Sequence, residues 1–160
     1  MNELYFELRK VLKNLKIYPI NNRYWYHFNI DHKKIKILNK KKLKDKRNEI
    51  SDKLKINSKN KIKGIYIYKT NRILNNQYLY IGKSKDIKSR LYHHFKESQD
   101  LTGSKDWRKF FQKYNKKLEV YCLEVDHKDP KIGETLRIFV ERFLITKYKP
   151  KFEEKHPTKK

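Results

Sequence analysis

The amino-acid sequence predicts an α+β fold: a small three-stranded antiparallel sheet flanked by helices and preceded by a basic, largely helical N-terminal extension. Three observations carry that expectation. Residues 64–68 (GIYIY) and 78–82 (YLYIG) are short β-rich runs separated by a polar stretch holding Asn71, Asn75 and Asn76, the pattern of a hairpin. Residues 117–125, KLEVYCLEV, alternate well enough to supply a third strand. Helical periodicity appears on either side of that strand, over 86–97, 104–114 and 131–148.

In chain order, Leu4, Leu8, Leu12 and Leu15 make one stripe with Val11 beside it, so residues 2–17 read as an amphipathic helix that stops near Pro19. Residues 23–38 are rich in aromatic and β-branched side chains and suit one or two short strands. Residues 40–59 are lysine-dense, with Leu43, Ile50, Leu54 and Ile56 as apolar anchors, and read as a solvated helix followed by a polar connection. That connection marks the expected boundary between an extension, residues 1–59, and a domain over 60–153; residues 154–160 read as a disordered tail.

Within the domain the hairpin runs alternate tyrosine with aliphatic residues. Strict alternation places Tyr66, Tyr68, Tyr78 and Tyr80 on one face and Ile65, Ile67, Leu79 and Ile81 on the other. Asp86 is placed to cap the next helix, in which Arg90 and His94 lie four residues apart on one side. Ser104 starts the following helix, whose stripe of Trp107, Phe110, Phe111 and Tyr114 suits a core better than a base-stacking platform. The last helix turns Leu136, Phe139, Val140, Phe143 and Leu144 inward and ends before Pro150.

At 160 residues, 37% hydrophobic and 14% aromatic, the chain suits one domain whose core draws heavily on Tyr, Phe and Trp. It has no apolar run of the roughly 18 residues that a spanning helix needs, and its N-terminus lacks the layout of a signal peptide. A soluble, cytoplasmic protein is expected. Cys122 is the only cysteine, so an internal disulfide and a cysteine zinc site are excluded, and its apolar surroundings make it a buried strand residue. The formal charge is +24, spread over the chain: residues 1–59 hold 17 basic and 6 acidic residues, residues 60–160 hold 25 and 12. An AT-rich coding sequence accounts for many lysines but not for the shortage of acids. Such a field concentrates polyanions, with nucleic acid the leading partner and an anionic membrane surface the runner-up.

Cutting a phosphodiester requires an activated water, positive charge on the phosphate oxygens and help for the leaving oxygen, often from a divalent ion held by a carboxylate. Glu141 sits in the middle of the last helix at the edge of its apolar stripe, a position that calls for an ion pair with a nearby Arg or Lys or for a metal. Glu134, two turns earlier, is a plausible decoy.

Gly64-Ile65-Tyr66, then Tyr80-Ile81-Gly82, an Arg at 90 and a Glu in the final helix resemble the GIY-YIG nuclease family, and Tyr148-Lys149-Pro150 extends the likeness. The resemblance runs from about Lys61 to Phe152 in the family's order. It implies a GIY-YIG fold and a divalent-metal-dependent DNA endonuclease. Carried over by position, it makes Tyr66 the general base or the group that orients the attacking water, with Tyr80 hydrogen-bonding in the same site. Arg90 grips the scissile phosphate, His94 bonds the phosphate or the tyrosine network, and Glu141 holds one Mg²⁺, with Mn²⁺ able to substitute. Lys83 either adds charge near the phosphate or is one more surface lysine; His93 points away, and Tyr68 and Tyr78 serve packing. Two departures stand out. The family often has an Asn just after the proline segment, where Phe152 is followed here by Glu153, and the gap between the two hairpin motifs is longer than usual.

Among the family's roles, a compact type II restriction endonuclease fits a 160-residue chain best. Residues 1–59 then supply DNA contacts, dimerisation or both, with Arg23, Tyr24, Trp25 and the lysines around 40–47, Lys42 among them, as the expected surface. One site cuts one strand, so double-stranded DNA as substrate implies a homodimer. A phage or mobile-element nuclease of loose specificity and a non-catalytic DNA-binding protein of the same fold are the alternatives.

Overall fold

Strands β2 (Gly64–Thr70) and β3 (Tyr78–Ser84) form the expected antiparallel hairpin, closed by paired hydrogen bonds between Thr70 and Gln77. This computed structural model describes residues 6, 10, 13 and 14 and the segments 25–55, 60–70, 77–102, 105–114 and 118–152. The proposed third strand is present as β4 (Leu118–Glu124), which pairs with β2. A fourth strand, β1 (Trp25–Asn29), pairs with the other edge of β4, so the sheet runs β1-β4-β2-β3 and is antiparallel throughout. The aromatic run at residues 23–38 thus supplies one strand, and the sheet has four strands where three were expected.

Helix α1 (Lys40–Lys53) follows β1 and is capped by the Asn39 side chain. Helix α2 (Ile87–Ser98) is capped by Asp86, as its sequence position anticipates, and α3 (Lys105–Tyr114) follows. Helix α4 (Pro130–Tyr148) begins with the Asp129 cap and a proline in its first turn, where a missing N–H costs nothing. It ends where Lys149 enters a left-handed conformation ahead of Pro150.

Helices cover both faces. Tyr66, Tyr68, Tyr80, Val120 and Cys122 pack with Ile50 of α1, Leu54 at its C-cap, Leu91 of α2 and the aromatic stripe of α3. On the opposite face Ile65, Ile67, Ile81 and Leu123 pack with Leu136, Val140 and Leu144 of α4. Burial pushes the Cys122 thiol pKa far up, leaving it inert packing material.

Two side-chain placements depart from simple periodicity. Lys69 pairs with Tyr78 while Tyr68 pairs with Tyr80, so Leu79 is an extra residue, a β-bulge. The bulge keeps Leu79 beside Tyr80 in the tyrosine core and turns Tyr78 to the other face, against Tyr148 and beneath the Lys69 ammonium. In α4, Phe139 is half-exposed rather than inward, because its neighbour Val140 occupies the centre of the buried stripe.

Strand β3 is a sheet edge, and the chain returns to cover it. Amides of Lys151 and Phe152 donate to the carbonyls of Tyr78 and Leu79, which brings Phe152 over the edge onto Trp107 and Phe110.

Candidate active site

Strand β2 and helix α2 aim three polar groups at one point. The Tyr66 hydroxyl lies 3.1 Å from His94 Nε2 and accepts a hydrogen bond from Arg90 Nε at 3.1 Å. Arg90 and His94 converge because one helical turn separates them, and Asp86 fixes where that helix starts. His94 is fully buried, and its Nδ1 sits 2.8 Å from Oε2 of Glu97, one turn further along α2. The half-buried neighbour His93 places Nδ1 3.3 Å from the other Glu97 oxygen. Burial, with the Arg90 charge beside it, holds the His94 pKa well below the ordinary histidine value, so the ring is neutral near pH 7.

Tyr80 stands across the strand pair, its ring centroid 5.7 Å from that of Tyr66. Both hydroxyls lean over Gly82: a Cβ there would lie 2.7 Å from the Tyr80 hydroxyl and 2.8 Å from that of Tyr66. A glycine is therefore what lets the two phenols converge. Trp107 closes the back of the site, its ring 4.0 Å from His94 and 4.7 Å from Tyr80. The aromatic stripe of α3 is core, as expected, and it also walls the polar cluster.

Glu141 arrives from the other face of the sheet. Its Oε1 accepts the backbone N–H of Lys83 at 3.0 Å on the edge strand β3, so the carboxylate stands at the sheet rim. The Lys83 side chain takes a separate path and pairs with Glu134 at 2.8 Å. Glu134 also binds Arg137 at 2.9 Å, and these two bonds hold its pKa down to about 2. With the Lys85 ammonium 3.8 Å away as well, Glu134 is engaged in a network of three cations. Among the described residues no cluster of three or more His, Cys, Asp or Glu side chains can cage an ion. The donor set instead fits a hard cation of the Mg²⁺ kind, which binds through one or two carboxylates, waters and substrate phosphates.

A model of the GIY-YIG catalytic domain matches residues 62–155, more than half of the chain. The chain belongs to the GIY-YIG nuclease family. No curated protein and no solved structure shows a significant match. In this GIY-YIG domain the two motif glycines do different work. Gly64 lies against the backbone of β4, where a Cβ would stand 1.9 Å from the Leu123 carbonyl oxygen, whereas Gly82 makes room for the phenols.

Of the site residues anticipated from sequence, the structure brings together Tyr66, Tyr80, Arg90 and His94, and it sets Glu141 at the adjoining rim beside Lys83. Tyr68 is fully buried, and desolvation pushes its phenol pKa well up, as suits packing. Lys42 is exposed on α1, its ammonium on the carbonyl of Ile37. Trp25 opens β1. Arg23, the Trp25 side chain, most of the expected N-terminal helix, the 71–76 loop, Glu153 and the tail lie outside the described residues. Glu97 escaped the sequence reading; the spacing His94-x-x-Glu97 on one helix face was its signal.

Proposed function

We propose that this chain is a Mg²⁺-dependent endonuclease that hydrolyses phosphodiester bonds of double-stranded DNA, and that it works as a homodimeric type II restriction enzyme in the cytoplasm. The observation that carries this reading is the Tyr66 hydroxyl held between the Arg90 guanidinium and a neutral His94 imidazole, with the Glu141 carboxylate at the adjacent sheet rim. Family membership supplies the nuclease chemistry, and the charge of +24 suits a polyanionic substrate.

Arg90 donates into the Tyr66 oxygen, which favours phenolate character in a group whose ordinary pKa is ~10. Tyr66 then orients the attacking water and takes its proton. The forked guanidinium also holds the phosphate oxygens as negative charge builds on them, which a lysine does less well. Tyr80 hydrogen-bonds at the same centre. Glu141 would hold the metal, whose chemistry there would be Lewis-acid help to the leaving group. Lys42 and the neighbouring lysines of α1, with Arg23 and Trp25, are the proposed DNA contacts.

Supercoiled plasmid incubated with and without Mg²⁺ tests the activity: ion-dependent nicking or linearisation is expected, and intact plasmid with both Mg²⁺ and Mn²⁺ defeats it. Glu141→Gln and Arg90→Ala each abolish cleavage while DNA binding persists; full activity of either removes the mechanism. Sequencing the ends cut from a complex DNA pool decides the biological role. A unique palindrome supports restriction, and scattered ends mean a nuclease of loose specificity.

A further inference from the structure

Glu97 has no part in the roles assigned above, yet it is the buried acid nearest the catalytic phenol. It is 3% exposed and sits 2.8 Å from Nδ1 of a fully buried His94, whose Nε2 is 3.1 Å from the Tyr66 hydroxyl. We propose that Glu97 is a positioning residue that fixes the His94 tautomer, so that the Tyr66 hydroxyl donates to His94 Nε2 and the three side chains form one proton relay. This rests on the endonuclease reading given above.

With Glu97 ionised, the donors and acceptors fit one assignment. An ionised carboxylate only accepts, so the proton of His94 is on Nδ1 and the Nε2 lone pair faces Tyr66. Arg90 Nε–H only donates, so it takes a lone pair of the Tyr66 oxygen and leaves the phenolic hydrogen for His94. Two imidazoles, His93 and His94, face the two Glu97 oxygens, as suits an acceptor-only group. As the water oxygen bonds to phosphorus, its proton passes to Tyr66 and the Tyr66 proton passes to His94 Nε2. The bond from phosphorus to the leaving oxygen breaks, and that oxygen takes a proton from solvent water. His94 becomes an imidazolium beside the Glu97 carboxylate and later returns its proton to solvent. Trp107, packed 4.0 Å from His94, shields the relay.

The test reads the tautomer directly. Long-range ¹H–¹⁵N correlation spectra of the wild-type chain, with His94 assigned by its loss in His94→Gln, are expected to show Nδ1 protonated and Nε2 bare. A protonated Nε2 with a bare Nδ1 overturns the proposal, whether or not the chain cleaves DNA. In single-turnover cleavage, Glu97→Gln is expected to lower the rate ~10²-fold with DNA affinity unchanged. A wild-type rate in a folded Glu97→Gln chain also overturns it. Should that variant fail to fold, the wild-type spectrum still decides. Absence of any wild-type cleavage with the expected tautomer present would sink the endonuclease reading and leave the hydrogen-bond relay standing.

Discussion

Lys83 donates its backbone N–H to Glu141 at 3.0 Å while its ammonium pairs with Glu134 at 2.8 Å, so one residue of the edge strand anchors two acids of α4 in different ways. The pairing distinguishes Glu141, the proposed metal ligand, from Glu134. Glu134 pairs with Lys83 and the buried Arg137, and one oxygen of Glu141 accepts the Lys83 amide.

Glu134→Gln is therefore expected to lower stability by about 1–3 kcal/mol and to retain cleavage, the reverse of Glu141→Gln. The folded pKa of Glu134, about 2, lies below its ordinary 4.5, so its contribution is fully present above pH 4.5 and is lost as pH falls toward 2. Thermal melts of wild type and variant across this range check the sign: their difference should shrink with acidification. An inactive but equally stable Glu134→Gln chain would reverse the assignment of the two acids.

The two motif glycines give a second contrast. At Gly64 an added Cβ meets backbone, 1.9 Å from the Leu123 oxygen, and the central strands must part. Gly64→Ala should cost about 3 kcal/mol or more. At Gly82 the obstructing atoms belong to the side chains of Tyr80 and Tyr66 rather than to backbone. Gly82→Ala is expected to keep most of the stability but to lower cleavage ~10²-fold, because the shifted phenol no longer meets Arg90 and His94 in line. Urea denaturation and single-turnover cleavage on both variants separate the two effects.

How far the sequence disclosed this architecture depended on what each signal measures. Period-two alternation located the hairpin, and helical spacing placed Arg90 beside His94, because both are local geometry. The bulge at Leu79 was hidden: one inserted residue leaves the apolar pattern intact yet turns Tyr78 to the opposite face. β1 was blurred because Trp25, Tyr26 and Phe28 do not alternate cleanly, and its pairing is decided by the open edge of β4. Glu141 was visible as an acid on an apolar stripe, but that it binds the Lys83 amide depends on β3 being an edge strand.

His32 gives a prediction for acid stability. The ring is buried, stacks on Phe111 at 4.0 Å, and has no hydrogen-bond partner at either nitrogen among the described residues. Desolvation, with Lys46 adding repulsion, lowers its pKa to about 3 from 6.5. The folded state thus binds its proton later than the unfolded state. Stability is full above pH 6.5 and declines between 6.5 and 3, at a limit of about 1.4 kcal/mol per pH unit. His32→Phe keeps the stacking shape and removes the titration. Its stability at pH 7 should equal or exceed that of wild type, and its acid midpoint should move down; an unchanged midpoint would show that His32 does not set the acid limb.

The same residue bears on whether residues 60–160 form an independent unit. Ile30, His32, Ile50 and Leu54 all enter the core beneath the tyrosines. The Gln99 side chain accepts from the amide of Ile35 and donates to the carbonyl of Lys33, tying that segment to the end of α2, the helix that carries Arg90 and His94. Removing residues 1–59 would strip β1 from β4, expose an unpaired strand edge and empty one side of the core. A chain of residues 60–160 is therefore expected to aggregate or to give a collapsed amide spectrum, and to lose cleavage even on short DNA that needs few distant contacts. A well-dispersed spectrum with wild-type cleavage from that fragment would make the extension a detachable DNA-binding arm. The ladder of Trp25–Asn29 on Glu119–Leu123 argues the opposite: the extension completes the fold that holds the site.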